Sequence, residues 1–152
     1  MKKLFESLLE KGYTLGSVES MTAGLFASTF VETPGSSKVF KGGLVTYWAE
    51  EKVQLLQIEQ NLIDYFGVVS KEVAGEMASK GQKVLGVDVC VSVTGNAGPT
   101  AEPGGMPVGR VYIGVAIKDK KYVFEHDFRG TRNKIRHQAV LAMQEELLKL
   151  IK

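Results

Sequence analysis

The chain has 152 residues, of which 44% are hydrophobic and 24% are charged. These values are typical of a single globular domain, which we expect to span residues 1–152. The formal net charge of +2 is too small to indicate a nucleic acid as the main partner. One cysteine excludes an internal disulfide, and no apolar run reaches the length of a membrane span. We therefore expect a cytoplasmic protein without membrane association.

In the first half of the chain, predicted helices and strands alternate. Apolar residues at helical spacing predict a short first helix, which ends at Gly12. The elements that follow are a strand over residues 13–18, a helix over 25–31, a strand over 43–48, and helices over 49–56 and 60–66.

The second half adds a long helix, a buried strand and a hairpin. Ser70 is expected to cap a helix that runs to about Val84, with Val73, Met77 and Val84 facing inward. A near-continuous apolar strand over 87–93 leads into a loop that ends at Gly109, and strands over 111–117 and 121–128 form the hairpin. Thr131 caps the C-terminal helix. This order predicts an α/β fold, a three-layer α/β/α domain on a mixed sheet.

Ser20 lies at the turn between the first predicted strand and the helix over 25–31. A serine at such a turn can present its hydroxyl above the sheet edge as a nucleophile, beside backbone N–H groups of the following helix. The alternative is that Ser20 or Thr22 only caps the helix. Of the two, Thr22 is the better candidate for the cap, which leaves Ser20 free to react.

A nucleophilic serine needs a base, and neither histidine is an obvious one. His126 and His137 have no recognisable acid partner and no spacing typical of a zinc site, so we expect no metal. Lys52 begins a predicted helix, where the helix dipole disfavours its charged form. Lys52 and Tyr47 border the same sheet edge as Ser20 if their two strands are parallel neighbours. Alternatively, Lys52 is a solvated surface residue.

Two further segments could bind a ligand. Gly95 and Gly98 open the long loop, which follows the most buried strand and matches neither a dinucleotide fingerprint nor a Walker loop. Arg132 and Arg136 share one face at the start of the last helix, where two cations are favourable if an anion binds there. The alternatives are a structural loop and a solvent-facing basic patch.

Several short motifs, in their order and spacing, resemble the CinA C-terminal domain family over nearly the whole chain. They are Glu19-Ser20-Met21-Thr22-Ala23-Gly24, Pro34-Gly35-Ser36-Ser37, Gly42-Gly43-Leu44-Val45-Thr46-Tyr47, Glu51-Lys52, Gly67-Val68-Val69-Ser70, Thr94-Gly95-Asn96-Ala97-Gly98-Pro99, Pro107-Val108-Gly109 and the stretch from Phe128 to Arg136. The chain looks like the stand-alone form, without the extra N-terminal domain of some members. It departs from the family at Met21, Asn96 and Thr131, where cysteine, an aliphatic residue and an acid are more usual.

The resemblance implies an amidase that converts nicotinamide mononucleotide and water to nicotinate mononucleotide and ammonia, without a metal or other cofactor. The family's roles fall on Ser20 as nucleophile, Lys52 as base, and Tyr47 and Thr94 as supporting residues. We expect the nucleotide substrate to contact the residues around them, namely Thr22, Gly24, Gly95, Asn96, Gly98, Arg132 and Arg136.

Two other functions stay open at this point. Some members of the family are known mainly from competence or genome-maintenance contexts, so the chain could be a non-catalytic nucleotide-binding or interaction module. It could also be an amidase that acts on a different small amide. Members of the family also suggest a homo-oligomer, of which a homodimer is the simplest form.

Overall fold

The computed structural model describes residues 1–151, so Lys152, the last residue of the predicted domain, lies outside the described residues. The helices are α1 (Lys2–Lys11), α2 (Leu25–Val31), α3 (Ala49–Leu56), α4 (Gln60–Phe66), α5 (Lys71–Leu85) and α6 (Arg132–Ile151). The strands are β1 (Leu15–Glu19), β2 (Phe40–Val45), β3 (Val89–Gly95), β4 (Arg110–Ile117) and β5 (Lys120–Asp127), and one turn of 3₁₀ helix covers Ser36–Lys38.

The five strands form one mixed sheet in the order β2-β1-β3-β4-β5. Strand β1 is parallel to both of its neighbours, β2 and β3. Strands β4 and β5 continue the sheet as an antiparallel hairpin. The carboxyl ends of the three parallel strands therefore meet at one edge, which is where α/β proteins bind ligands.

Helices cover both faces of the sheet, which confirms the predicted three-layer architecture. Phe26, Phe30 and Met143 belong to a core that α1, α2 and α6 form on one face. Val73 and Met77 of α5 belong to a second core on the other face, together with residues of α3 and α4. Among residues 1–151, no helix combines the length and the hydropathy needed to cross a bilayer.

Helix α5 packs against the sheet at very short range. The Ser92 hydroxyl donates to the Ala74 carbonyl at 2.6 Å. A Cβ atom added to Gly81 would lie 2.3 Å from a methyl of Val18, so this inward position of the helix admits no side chain. The prediction that Val84 faces inward is wrong, since Val84 is 54% exposed. Val84 lies seven residues after Met77 and so on the same side of α5, but it belongs to the last turn of the helix, beyond Gly81, the last buried residue of α5.

Strand β2 differs most from its predicted bounds. It begins at Phe40 and ends at Val45. Thr46 still donates its N–H to the Glu19 carbonyl of β1, and residues 47–48 lead away from the sheet to the start of α3. The aromatic residues Tyr47 and Trp48, which favoured a strand in the sequence, are 51% and 68% exposed. Their departure brings the start of α3 over the carboxyl end of β1.

Candidate active site

Ser20 directly follows β1 at the edge where the parallel strands end. Its backbone N–H donates to the Val93 carbonyl of β3, and the Thr46 N–H after β2 donates to the Glu19 carbonyl. These two bonds extend the hydrogen-bonding of β1 with β3 and with β2 by one residue, and they hold the ends of the three strands side by side. The predicted juxtaposition of Ser20 with the segment after β2 is therefore confirmed.

Ser20 and Lys52 are in contact. The Lys52 Nζ lies 3.0 Å from the Ser20 Oγ, and the two residues are 1% and 8% exposed. The Ser20 hydroxyl thus pairs with this amine and not with the N–H groups of its own helix. The alternative of a solvated Lys52 is wrong, because α3 directs the side chain inward from the helix's fourth residue.

The surroundings of Lys52 favour its neutral form. Burial lowers the pKa of its amine to about 8, because the charged form loses its hydration inside the protein. The only other polar atom bonded to Nζ within residues 1–151 is the Thr46 carbonyl oxygen, at 2.6 Å. A neutral amine can donate to this carbonyl and still direct its lone pair at the Ser20 hydroxyl.

Glu19, rather than Thr22, caps helix α2. The carboxylate of Glu19 is buried and accepts the N–H groups of Phe26 and Ala27 at 2.8 and 3.1 Å. The Thr22 hydroxyl donates to the same carboxylate at 2.7 Å. The predicted Thr22 cap is therefore wrong: a longer carboxylate reaches the orphan N–H groups that a threonine cap would satisfy. With these N–H groups occupied, Ser20 is left to pair with Lys52.

Tyr47 and Arg132 meet across the site. Arg132 Nη2 donates to the Tyr47 hydroxyl at 3.0 Å, and Nη1 donates to the Gly98 carbonyl. The guanidinium of Arg132, the first residue of α6, is thus hydrogen-bonded both to the segment after β2 and to the loop after β3. In the described part of the chain, Tyr47 makes no hydrogen bond to Ser20 or Lys52.

Thr94 supports the site from β3. It is buried, and its hydroxyl donates to the Val68 carbonyl at 2.8 Å. This bond ties the segment after α4 to the sheet edge, where Phe66, Gly67, Val68 and Val69 line the cavity. Sequence reasoning assigned no role to this segment, although Gly67-Val68-Val69-Ser70 was one of the motifs that carried the resemblance.

A cavity of about 590 Å³ opens above the Ser20–Lys52 pair. Its size lies within the usual range for small-molecule sites. Of the residues expected to act or bind, it collects Ser20, Tyr47, Lys52, Thr94, Gly95, Asn96, Gly98 and Arg132. Its outer wall is the loop after β3, including Thr100, Glu102 and Met106.

Three of the expected substrate-binding residues do not line this cavity. Thr22 is fully buried against Glu19, and Gly24 is the N-cap residue of α2. Arg136 points at the turn after Ser20, where Nε donates to the Met21 carbonyl at 3.0 Å and Nη2 donates to the Thr22 carbonyl at 2.9 Å. Their positions fit a role in holding the turn rather than contact with a ligand.

The remaining reactive side chains lie elsewhere. Cys90 is fully buried, and burial raises the pKa of its thiol to about 12, so it is an inert core residue. The expectation that His126 has no acid partner is wrong, since its Nε2 lies 3.2 Å from the Glu146 carboxylate, but this pair lies on the β5–α6 side of the molecule and does not line the cavity. Within residues 1–151, no cluster of three or more His, Cys, Asp and Glu side chains could hold a metal ion.

The fold and the site define an α/β protein with a buried serine–lysine pair at the carboxyl edge of its sheet. A family model described as the CinA C-terminal domain matches residues 1–151, and the chain belongs to this family.

Relatives and solved structures agree with this membership. A CinA-like protein from Petrotoga mobilis is 40% identical over 149 residues, which cover 98% of this chain and 37% of that protein. The chain thus spans about a third of the length of the curated relatives that it matches. The competence/damage inducible protein CihA from Agrobacterium tumefaciens superposes with a TM-score of 0.95 at 29% identity, covering 99% of this chain and 93% of that one. A CinA superfamily protein from Escherichia coli superposes with a TM-score of 0.95 at 29% identity, and the match covers 97% of this chain and 86% of that one.

The Lys52 amine should titrate far below an ordinary lysine. We expect NMR of the lysine Nζ or Cε nuclei to give a pKa of about 8 for Lys52, since burial penalises its charged form. A Lys52 resonance that titrates at the ordinary lysine value of about 10.4 would contradict this electrostatic description of the site.

Proposed function

We propose that the chain is an amidohydrolase that converts nicotinamide mononucleotide and water to nicotinate mononucleotide and ammonia. Ser20 is the nucleophile and Lys52 is its base. The observation that carries the proposal is the 3.0 Å distance between Lys52 Nζ and Ser20 Oγ. The amine is buried and has a lowered pKa, and the pair lines a cavity large enough for a small-molecule ligand. The cytoplasmic location and the homo-oligomeric state stay predictions.

The reaction starts with a proton transfer from serine to lysine. Neutral Lys52 accepts the Ser20 proton while the Oγ attacks the carboxamide carbon. The Lys52 ammonium then gives this proton to the departing nitrogen, so that ammonia leaves and an ester to Ser20 remains. Water attacks the ester, Lys52 takes a proton from the water, and the Ser20 oxygen leaves with a proton from Lys52. The Thr46 carbonyl keeps Nζ aligned throughout.

The turn after the nucleophile supplies a donor for the oxyanion. The Met21 N–H directly follows Ser20 and makes no hydrogen bond within residues 1–151. Arg136 holds this turn through the carbonyl oxygens of Met21 and Thr22. A preorganised donor at this position would stabilise the negative charge of the tetrahedral intermediate. Arg136 therefore acts on the turn in this mechanism, and does not contact the substrate.

Arg132 is the better of the two candidates for the substrate phosphate. It lines the cavity, whereas Arg136 does not and is directed at the turn after Ser20. A guanidinium presents several donors in a plane and pairs well with phosphate oxygens. Its present partners, Gly98 and Tyr47, orient it toward the cavity.

Ammonia release tests the reaction and its nucleophile together. Purified protein should release ammonia from nicotinamide mononucleotide, and Ser20→Ala should abolish the release because no acyl-enzyme can form. Ser28→Ala is the matched control, since Ser28 is an exposed serine of α2 outside the cavity, and it should behave as wild type.

Undiminished release by Ser20→Ala would sink the nucleophile assignment. Tight binding of the nucleotide by wild type without any release would favour a non-catalytic binding module instead. Release of ammonia only from other amides in a substrate panel would keep the mechanism and change the substrate.

The pH dependence should report the ionisation of Lys52. Because the neutral amine is the active form, kcat/KM should rise about tenfold per pH unit from pH 6.5 and level off at about pH 8. Lys52→Met removes the amine but keeps the length of the side chain, and should lower kcat/KM by about 10²–10⁴-fold. A profile that is flat from pH 6.5 to 9, or a Lys52→Met variant with near wild-type rates, would remove Lys52 as the base.

A further inference from the structure

We propose that Asn96 is a positioning residue that shapes the loop over residues 97–109 and, through Gly98, fixes Arg132 for its anionic ligand. The inference rests on the proposed function, because Arg132 is the residue assigned there to the substrate phosphate. It replaces the expectation that Asn96 contacts the substrate directly.

Every polar group of Asn96 bonds to the loop or to its ends. The backbone N–H donates to the Arg110 carbonyl at 3.0 Å, and the backbone carbonyl accepts the Gly109 N–H at 2.8 Å. The side-chain Oδ1 accepts the Gly98 N–H at 2.9 Å, and Nδ2 donates to the Met106 carbonyl at 3.2 Å. A longer contact of 3.4 Å joins Nδ2 to the Thr100 carbonyl.

An asparagine amide has two N–H donors and one carbonyl acceptor. In Asn96 both donors face loop carbonyls and the acceptor is taken by Gly98, so the side chain has no N–H left for a substrate amide or phosphate. The side chain thereby connects Gly98 at the beginning of the loop to Met106, and the backbone of the same residue bonds to the end of the loop. The loop is otherwise held by few internal bonds, of which the Gly105 N–H to Glu102 carbonyl bond is one.

The same network reaches Arg132 through one residue. Gly98 donates its N–H to Asn96 and accepts Arg132 Nη1 at its carbonyl. Gly98 has a φ of +79°, and a Cβ added there would lie 2.7 Å from a methyl of Val108, so glycine is required at this position. If Asn96 releases the Gly98 N–H, the carbonyl that orients Arg132 is no longer fixed.

The reacting pair is outside this network. Ser20 and Lys52 bond to each other and to the Thr46 carbonyl, and Asn96 bonds to none of these groups. The loss of the Asn96 amide should therefore weaken the binding of the phosphate end and leave the chemical step in place. A split between KM and kcat distinguishes this positioning role from general damage to the fold.

The test compares three variants in the ammonia assay with nicotinamide mononucleotide. Asn96→Ala should raise KM by about tenfold or more, with kcat within about threefold of wild type, because hydrogen bonds that order the loop are lost. Asn96→Asp keeps the acceptor for Gly98 but places a carboxylate oxygen against the Met106 carbonyl, so it should raise KM as well. Pro103→Ala, an exposed residue of the same loop that does not line the cavity, is the control and should leave both constants unchanged.

Amide exchange in the unliganded protein gives a second readout that needs no activity. The Gly98 N–H should be protected in wild type and in Asn96→Asp, and should exchange at least about tenfold faster in Asn96→Ala. If Asn96→Ala does not fold, the KM of Asn96→Asp is compared with that of wild type instead.

Unchanged KM in both Asn96 variants, or a loss of kcat at constant KM, would overturn the inference. A wild-type protein that releases no ammonia would defeat the proposed function alone. The exchange rates would then decide the role of Asn96 in the loop, and unchanged Gly98 exchange in a folded Asn96→Ala variant would overturn it.

Discussion

The site depends on the burial of one amine. Lys52 is 1% exposed, and its Nζ has only the Thr46 carbonyl and the Ser20 hydroxyl as partners in the described residues. A pKa lowered from 10.5 to about 8 corresponds to a cost of about 3 kcal/mol for the charged form. At pH 7 about one molecule in ten then carries a neutral amine, compared with fewer than about one in a thousand for a free lysine. Burial thus turns a poor base into a usable one.

Much of the surrounding structure maintains this geometry. The parallel pairing of β1 with β2 and β3 places Ser20 and residue 46 at one edge, and the early end of β2 lets α3 lay Lys52 over the serine. Glu19 occupies the N–H groups of α2 that could otherwise bind the Ser20 hydroxyl. Arg136 secures the turn from the opposite side, through two backbone carbonyls. Ser20 is therefore held from β1, α3 and α6 together.

Periodicity and turn chemistry in the sequence predicted the fold class, the bounds of α2, α3 and α4, and the Ser70 cap, whose Oγ accepts the Val73 N–H at 3.2 Å. The meeting of Ser20 with Lys52 was also predictable, since the carboxyl ends of neighbouring parallel strands share an edge.

The parts that could not be predicted depend on the directions of side chains in three dimensions. Glu19 reaches helix N–H groups seven and eight residues later, and Asn96 bonds across a loop to Met106. Local patterns carry no signal for either contact. For the same reason, the sequence could not distinguish Arg132 from Arg136, an i, i+4 pair, although Arg132 lines the cavity and Arg136 holds the turn after Ser20.

The activation of Ser20 by buried Lys52 can be tested without knowledge of the substrate. A fluorophosphonate probe forms a bond to an activated serine oxygen with loss of fluoride, and peptide mass spectrometry locates the label. We predict labelling at Ser20, with a rate that rises from pH 6.5 and levels off at about pH 8. In Lys52→Met the rate should fall at least about a hundredfold. Ser20 labelling at the wild-type rate in Lys52→Met, or labelling of other serines only, would show that Lys52 does not activate Ser20.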